Sequence, residues 1–207
     1  MTTNAAVQSH LQNSDEEVIS RADPRWSRLH EIITAKSLLL GDFILSSGRT
    51  SKFLFQLRQT TMLPEGAALI GSIVVEYMQR HGLKCVGGME LGAVPLVSAV
   101  SVTSHHMQYP VSAFFVRKKA KEHGARELID GDVDTSGEIF LIDDVATSGK
   151  SMFLAINGIH EEPKFRSCPI KRALVVVDRQ EGAKEALAAD GIELVSIFKK
   201  SDFNIPV

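Results

Sequence analysis

Residues 138–151 read EIFLIDDVATSGKS, and this stretch decides how the rest of the chain is read. An apolar strand-sized run meets two adjacent carboxylates, Asp143 and Asp144, and then a turn of small residues that enters a helical pattern at Lys150. A Thr147-Ser148-Gly149-Lys150-Ser151 turn at a helix N-terminus offers unpaired backbone N–H groups, hydroxyls and the positive end of the helix dipole, which together cradle a phosphate. The dipole contributes only about 0.3–1 kcal/mol per exposed anion, so converging hydrogen bonds must supply most of the grip. Gly149-Lys150-Ser151 imitates the tail of a nucleotide-binding Walker A loop. That loop needs a glycine five positions before its GK glycine, and the chain has Asp144 there, whose charge would oppose a triphosphate. Two carboxylates ahead of a monophosphate cradle fit the neighbouring hydroxyls of a ribose 5-phosphate.

Outward from this stretch the pattern repeats. Apolar strand-sized runs at 84–88, 111–117, 138–143, 172–178 and 193–198 alternate with helical runs at 93–106, 150–159 and 181–189. Near-continuous apolar strands separated by helices predict an α/β fold with a parallel sheet covered on both faces. Between Arg117 and Glu138 no helix or strand pattern is visible, and a loop of that length is expected to be functional. Ligands of such sheets sit outside the carboxyl ends of the strands, and this loop leaves one of them.

Toward the N-terminus, Pro64 opens a helical run that lasts to about Arg80 and stops at His81-Gly82. Residues 43–57 suggest two short strands around a Ser47-Gly48-Arg49 turn, and 26–40 an amphipathic helix ending near Gly41. Residues 1–24 are polar, acidic at Asp15, Glu16 and Glu17, and predict a mobile extension or loosely docked helix without chemistry. Residues 25–207 are expected to form a single domain, with an N-terminal part at about 25–63 and a core at about 64–200.

Composition narrows the function classes. The 207 residues suit one domain, and 23 Lys plus Arg against 25 Asp plus Glu leave no whole-protein grip on nucleic acid or anionic membrane. No apolar run approaches the ~18 residues needed to span a bilayer, and no secretory signal is visible. The two cysteines, Cys85 and Cys168, lie far apart and predict buried free thiols. These features point to the cytoplasm. His105-His106 has no ligand-spaced partner and reads as surface, Phe114-Phe115 reads as core, and no serine sits in a nucleophile-elbow context.

The strand, the Asp143-Asp144 pair and the Thr and Gly at the helix start resemble the phosphoribosyl pyrophosphate (PRPP) binding motif of type I phosphoribosyltransferases. Within that family, Arg117-Lys118-Lys119-Ala120-Lys121-Glu122-His123-Gly124 is similar to the mobile catalytic loop of orotate phosphoribosyltransferases. Independently of the family, Arg117, Lys118, Lys121 and His123 form a cationic cluster suited to closing over a departing pyrophosphate. The segment Val176-Val177-Asp178-Arg179-Gln180-Glu181 resembles the place where that family sets an arginine on the orotate carboxylate, and residues 43–56 resemble its Ser-Gly-Arg hairpin and aromatic segment, which would set Phe55 near the flat base. The resemblance covers roughly residues 28–198. Two positions depart from it. Ser46 stands where a lysine is frequent, and the turn Gly87-Gly88-Met89-Glu90-Leu91-Gly92-Ala93 lacks the lysine that many members carry.

The resemblance implies a type I phosphoribosyltransferase fold, a central parallel sheet flanked by helices with a small N-terminal hood. It implies conversion of orotate and PRPP to orotidine 5'-monophosphate and pyrophosphate, with Mg²⁺ carried by PRPP rather than by a protein cage. Asp143 and Asp144 would hold the ribose hydroxyls. Val145, Ala146, Thr147, Ser148, Gly149, Lys150 and Ser151 would bind the 5-phosphate, and Thr147, Arg179 and Phe55 the orotate. Lys121, Arg117, Lys118 and His123, with Asp144, would serve the chemistry, and a homodimer would share the loop across its interface. Two alternatives remain at this stage: a phosphoribosyltransferase for another base, and a PRPP-binding regulator without catalysis.

Overall fold

The computed structural model describes residues 17–44, 50–119 and 128–205. Helix α1 (Pro24–Lys36) starts behind Asp23, whose carboxylate accepts the Arg25 amide at 2.9 Å. It buries Leu29, Ile32 and Ile33. Strands β1 (Leu38–Ile44) and β2 (Thr50–Phe55) pair antiparallel as the hood. The expected helix through residue 40 therefore ends earlier. Its last N–H bond runs from Ser37 to Ile33, and Leu38, Leu39 and Leu40 are captured by Phe55, Leu54 and Phe53 of β2. Nothing local to 37–40 announces that partner. The turn at 45–49, with Ser46 and the Ser47-Gly48-Arg49 sequence, lies outside the described residues.

A short helix α2 (Arg58–Thr61) leads into α3 (Pro64–Arg80), which spans the predicted run. Then follow β3 (Cys85–Gly87), α4 (Ala93–His106), β4 (Ser112–Val116), β5 (Ile129–Gly131), β6 (Ile139–Ala146), α5 (Lys150–Glu161), β7 (Arg172–Asp178), α6 (Ala183–Ala189) and β8 (Glu193–Lys199). The six-stranded sheet has the order β5-β4-β3-β6-β7-β8. All neighbours are parallel except β4 and β5. This corrects the reading of 117–138 as devoid of strand and of the sheet as wholly parallel: three residues, Ile129 to Gly131, close the edge by pairing antiparallel with Val116 to Phe114. Three residues are too few for periodicity to reveal.

Alternation along the central strands splits the core into two layers. Phe140, Ile142, Leu174 and Val176 face α1, α3, α4 and the hood, whereas Ile139, Leu141, Ala173 and Val175 face α5 and α6. Covered on both faces, β6 and β7 read as unbroken apolar runs for this reason. Cys85 and Cys168 are free and buried. Phe114 is core, but Phe115 is only half-buried and carries the Arg117 guanidinium over its ring, 5.6 Å from the centroid. His105 and His106 are exposed at the end of α4.

Of the polar N-terminal extension, residues 17–23 pack against the body without forming a helix. Val18 is buried in the α1/α3 layer and its carbonyl accepts from Arg80 at 2.8 Å. Arg21 pairs with Asp202 in the single 3-10 turn after β8.

The position of the site follows from the strand order. The chain leaves β3 through α4 toward β4 on one side, while β6 pairs with β3 on the other. The crevice between their carboxyl ends is the topological switch point where α/β sheets bind ligands.

Candidate active site

Strand β6 continues three residues past its predicted end, so Asp143 and Asp144 lie within it, and Val145 and Ala146 still pair with Val177 and Asp178 of β7. Gly149 follows with a φ of 79°, in the left-handed region that glycine adopts without a Cβ penalty. It is the N-cap of α5, and no side chain caps the helix. The first-turn N–H groups therefore stay available to a ligand at the positive end of the dipole. Thr147 to Ser151 line a cleft of about 660 Å³ together with Asp143, Phe55 and Arg179. The residues predicted for the ribose phosphate and for the base thus meet in one groove.

Arg179 is 5% exposed. The turn that aims it is tight: its amide donates to the Ala146 carbonyl at 2.9 Å, Gln180 sits at φ 58°, and the Gln180 amide donates to the Asp178 carboxylate at 2.8 Å. Left-handed backbone at a non-glycine residue costs on the order of 1 kcal/mol and persists where the surroundings impose it. One Glu181 oxygen accepts from Arg179 Nε at 2.9 Å and lies 2.8 Å from Nη2. The guanidinium stacks over the Phe53 ring at 4.5 Å. Its Nη1 has no hydrogen bond to a described residue, so the fork retains donors for a carboxylate. Phe55 is buried edge-on against Phe53 and Phe203, with centroids at 5.7 and 5.1 Å, and presents a fixed apolar wall to the cleft.

A second cleft of about 290 Å³ adjoins the first through Asp143, Val145 and Ser151. Asp144, Lys118, Glu90, Gly92 and Arg58 line it. Glu90 accepts the Lys118 amide at 2.8 Å, which ties the start of the cationic loop to the turn after β3. Burial pushes the Asp143 carboxyl well above the usual carboxylate range, and the Asp144 charge beside it adds to the rise, opposed by Lys118. Burial raises Asp144 as well, offset by the Val145 amide, by Asp143 and by Arg58. A pair this buried resists carrying two charges at once, and a sugar diol offers the hydrogen bonds it lacks. Among the described residues no three His, Cys, Asp or Glu side chains converge as a metal cage.

The predicted cationic set divides. Lys118 lines the second cleft. Arg117 turns its Nε to Asp130 on β5, a residue invisible to the sequence reading because that strand was. Lys121 and His123 lie outside the described residues. Arg58, Glu90 and Glu181 were missed. Each is an ordinary charged residue in a turn or a short helix, and only the folded chain brings it to the site.

No protein-family model matches the chain. Orotate phosphoribosyltransferase of Rhodopseudomonas palustris (strain BisB18) is 40% identical over 181 residues, covering 86% of this chain and 95% of that relative. The crystal structure of Mycobacterium tuberculosis H37Rv orotate phosphoribosyltransferase superposes with a TM-score of 0.75 at 32% identity, covering 88% of this chain and all of that one. A structure of the same mycobacterial enzyme in complex with PRPP gives 0.68 at 28% identity, covering 88% and 93% of the two chains.

Proposed function

The chain belongs to the orotate phosphoribosyltransferase family, and on that premise we propose how its residues divide the work. It transfers the phosphoribosyl group of PRPP to orotate, giving orotidine 5'-monophosphate and pyrophosphate in pyrimidine biosynthesis. The observation that carries the division is the pair of adjoining clefts, one lined by the uncapped α5 N-terminus, Asp143, Arg179 and Phe55, the other by Asp143 and Asp144 with Lys118.

In this reading Val145 to Ser151 hold the 5-phosphate, and Asp143 and Asp144 accept from the two ribose hydroxyls. Arg179 grips the orotate carboxylate while Phe55 and Thr147 border the ring. The nitrogen of orotate attacks the anomeric carbon as the bond to pyrophosphate breaks. Positive charge builds on the ribose and negative charge on the leaving group, so the protein contributes orientation and cationic stabilisation. No covalent intermediate is required.

Lys118 and Lys121, with Arg117 and His123, serve the leaving pyrophosphate. For Arg117 this means exchanging its Asp130 contact for the phosphate. Mg²⁺ carried by PRPP would, when bound, supply charge neutralisation of the pyrophosphate beside the cationic side chains. An ion that keeps its waters and its substrate oxygens needs no protein cage, so no residue of the chain is assigned as its direct ligand. A homodimer that shares the loop across its interface completes the proposal, with the cytoplasm as its compartment. No helix among the described residues is long and apolar enough to cross a membrane.

The test is the fall in orotate absorbance on mixing protein, orotate, PRPP and Mg²⁺, with controls lacking PRPP or Mg²⁺. Loss that needs both supports the reading; turnover of another base in place of orotate defeats it. Lys121→Ala is expected to lower kcat by ~10²–10³ with PRPP affinity little changed, as for removal of one charge-stabilising donor. Mixing Lys121→Ala with Asp144→Ala subunits tests the shared loop, because recovered activity requires a site built from two chains.

A further inference from the structure

We propose that Arg58 is a pyrophosphate-binding residue of this enzyme, supplying with Lys118 the charge that a lysine in the turn after β3 would otherwise bring. The proposal rests on the functional reading above and extends it to a residue outside the family's loop and strand motifs.

Position 92 explains why the cation has to come from elsewhere. A Cβ on Gly92 would stand 2.5 Å from Asp143 Oδ1 and 2.8 Å from Asp144 Oδ1. A side chain there would have to displace both carboxylate tips and so disturb the diol subsite, which suits a glycine turn that contributes backbone alone. The same cleft contains three carboxylates, Glu90, Asp143 and Asp144, against Lys118 and Arg58. Bringing a pyrophosphate into that field with one cation would set like charges together in a partly desolvated groove.

Arg58 has the required placement and freedom. It opens α2, which is anchored on both sides of it: Leu57, Thr60 and Thr61 are buried, and Thr60 shares a 2.6 Å hydroxyl contact with buried Ser37. Tight packing fixes the helix from below, because a Cβ on Gly66 of α3 would meet the Thr60 carbonyl at 2.3 Å. Arg58 itself is exposed and its guanidinium makes no hydrogen bond or ion pair with a described residue. It lines the same cleft as Asp144 and is near enough to offset part of the burial-driven rise in that carboxyl's pKa. A fork that lines the cleft with the acidic pair and is not consumed by it offers planar bidentate donors to two phosphate oxygens, a geometry a lysine lacks.

The test compares Arg58→Ala and Arg58→Lys with the wild type by titrating two probes separately, Mg²⁺-pyrophosphate and ribose 5-phosphate, alongside kinetic constants for PRPP and orotate. Loss of one charge-assisted pair is expected to weaken pyrophosphate by about 10- to 100-fold and to raise the KM for PRPP. Ribose 5-phosphate binding and the KM for orotate stay unchanged, and Arg58→Lys recovers part of the loss. If Arg58→Ala does not fold, Arg58→Gln gives the same readout with the aliphatic stem kept and the charge removed. Pyrophosphate affinity equal to wild type, or an equal loss for both probes, overturns the assignment. A wild-type protein that binds pyrophosphate through Arg58 but never consumes orotate supports the assignment and sinks the functional reading instead.

Discussion

On one side of the Asp143-Asp144 pair the groove is made by neighbours in sequence, Thr147 to Ser151, resting on the end of β6 and the start of α5. On the other side it is made by Arg58, Glu90, Gly92 and Lys118, drawn from three separate segments. The first half uses backbone N–H groups whose direction is set by helix geometry, so it is complete once the turn has formed. The second half uses long side chains whose meeting depends on how the hood, the turn after β3 and the end of β4 pack together. In the proposed division of work, the phosphate that must stay put through the reaction falls to the local device and the one that must leave to the assembled device.

The largest effect that could break this contrast is at Arg179, which belongs to the first cleft but not to the contiguous turn. Arg179→Ala should lower kcat/KM for orotate on the order of 10²–10³-fold with the KM for PRPP retained, because a buried charged partner is lost. An equal loss for both substrates would mean that the two clefts are not separable. Gly92→Ala comes next. The added methyl presses on both carboxylates, and kcat should fall about tenfold, roughly 1.4 kcal/mol in the barrier. Ribose 5-phosphate titration of the same variant should match wild type if the cradle is independent of the second cleft.

Asp143→Asn separates activity from stability. The folded-state pKa of Asp143 lies above its usual value, so the native state favours the protonated acid; this contribution is present at low pH and is lost as pH rises through the folded pKa. Asparagine never ionises. The variant should therefore melt higher than wild type near pH 8, with the gain shrinking as pH falls, while turnover drops. A thermal midpoint that is lower at every pH would show the pair to be stabilising. The smallest expected effect is Ser37→Ala, which removes the hydroxyl contact anchoring α2. It should cost about 1 kcal/mol, roughly 2–4 °C in a domain of this size. Pyrophosphate affinity should weaken slightly and ribose 5-phosphate not at all.

How much of this was legible in the chain differs in the same way. Helix α3 begins at Pro64, and β7 spans the predicted Arg172–Asp178, because each signal is carried by consecutive residues. Strand β5 was hidden in three residues that become a strand only beside β4, and α1 stops at Lys36 because β2 takes the residues after Ser37. Arg117 was grouped with the loop cations from its neighbours, but Asp130 takes its Nε. Glu181 sits two residues from Arg179, yet its hold on the guanidinium depends on a turn with Gln180 at positive φ that no composition rule announces.

By itself, then, the sequence determined the α/β alternation, the double burial of the central strands and the small-residue turn that enters α5, since each rests on periodicity or on groups adjacent along the backbone. Tertiary structure alone decided where the helix yields to the hood, which strand closes the sheet edge, and that Arg58, Lys118 and Glu90 surround the carboxylate pair. The physical reason is range. Backbone hydrogen bonding and side-chain periodicity act over a few residues, whereas charges and β-edges act on whatever the folded chain brings within ångströms of them.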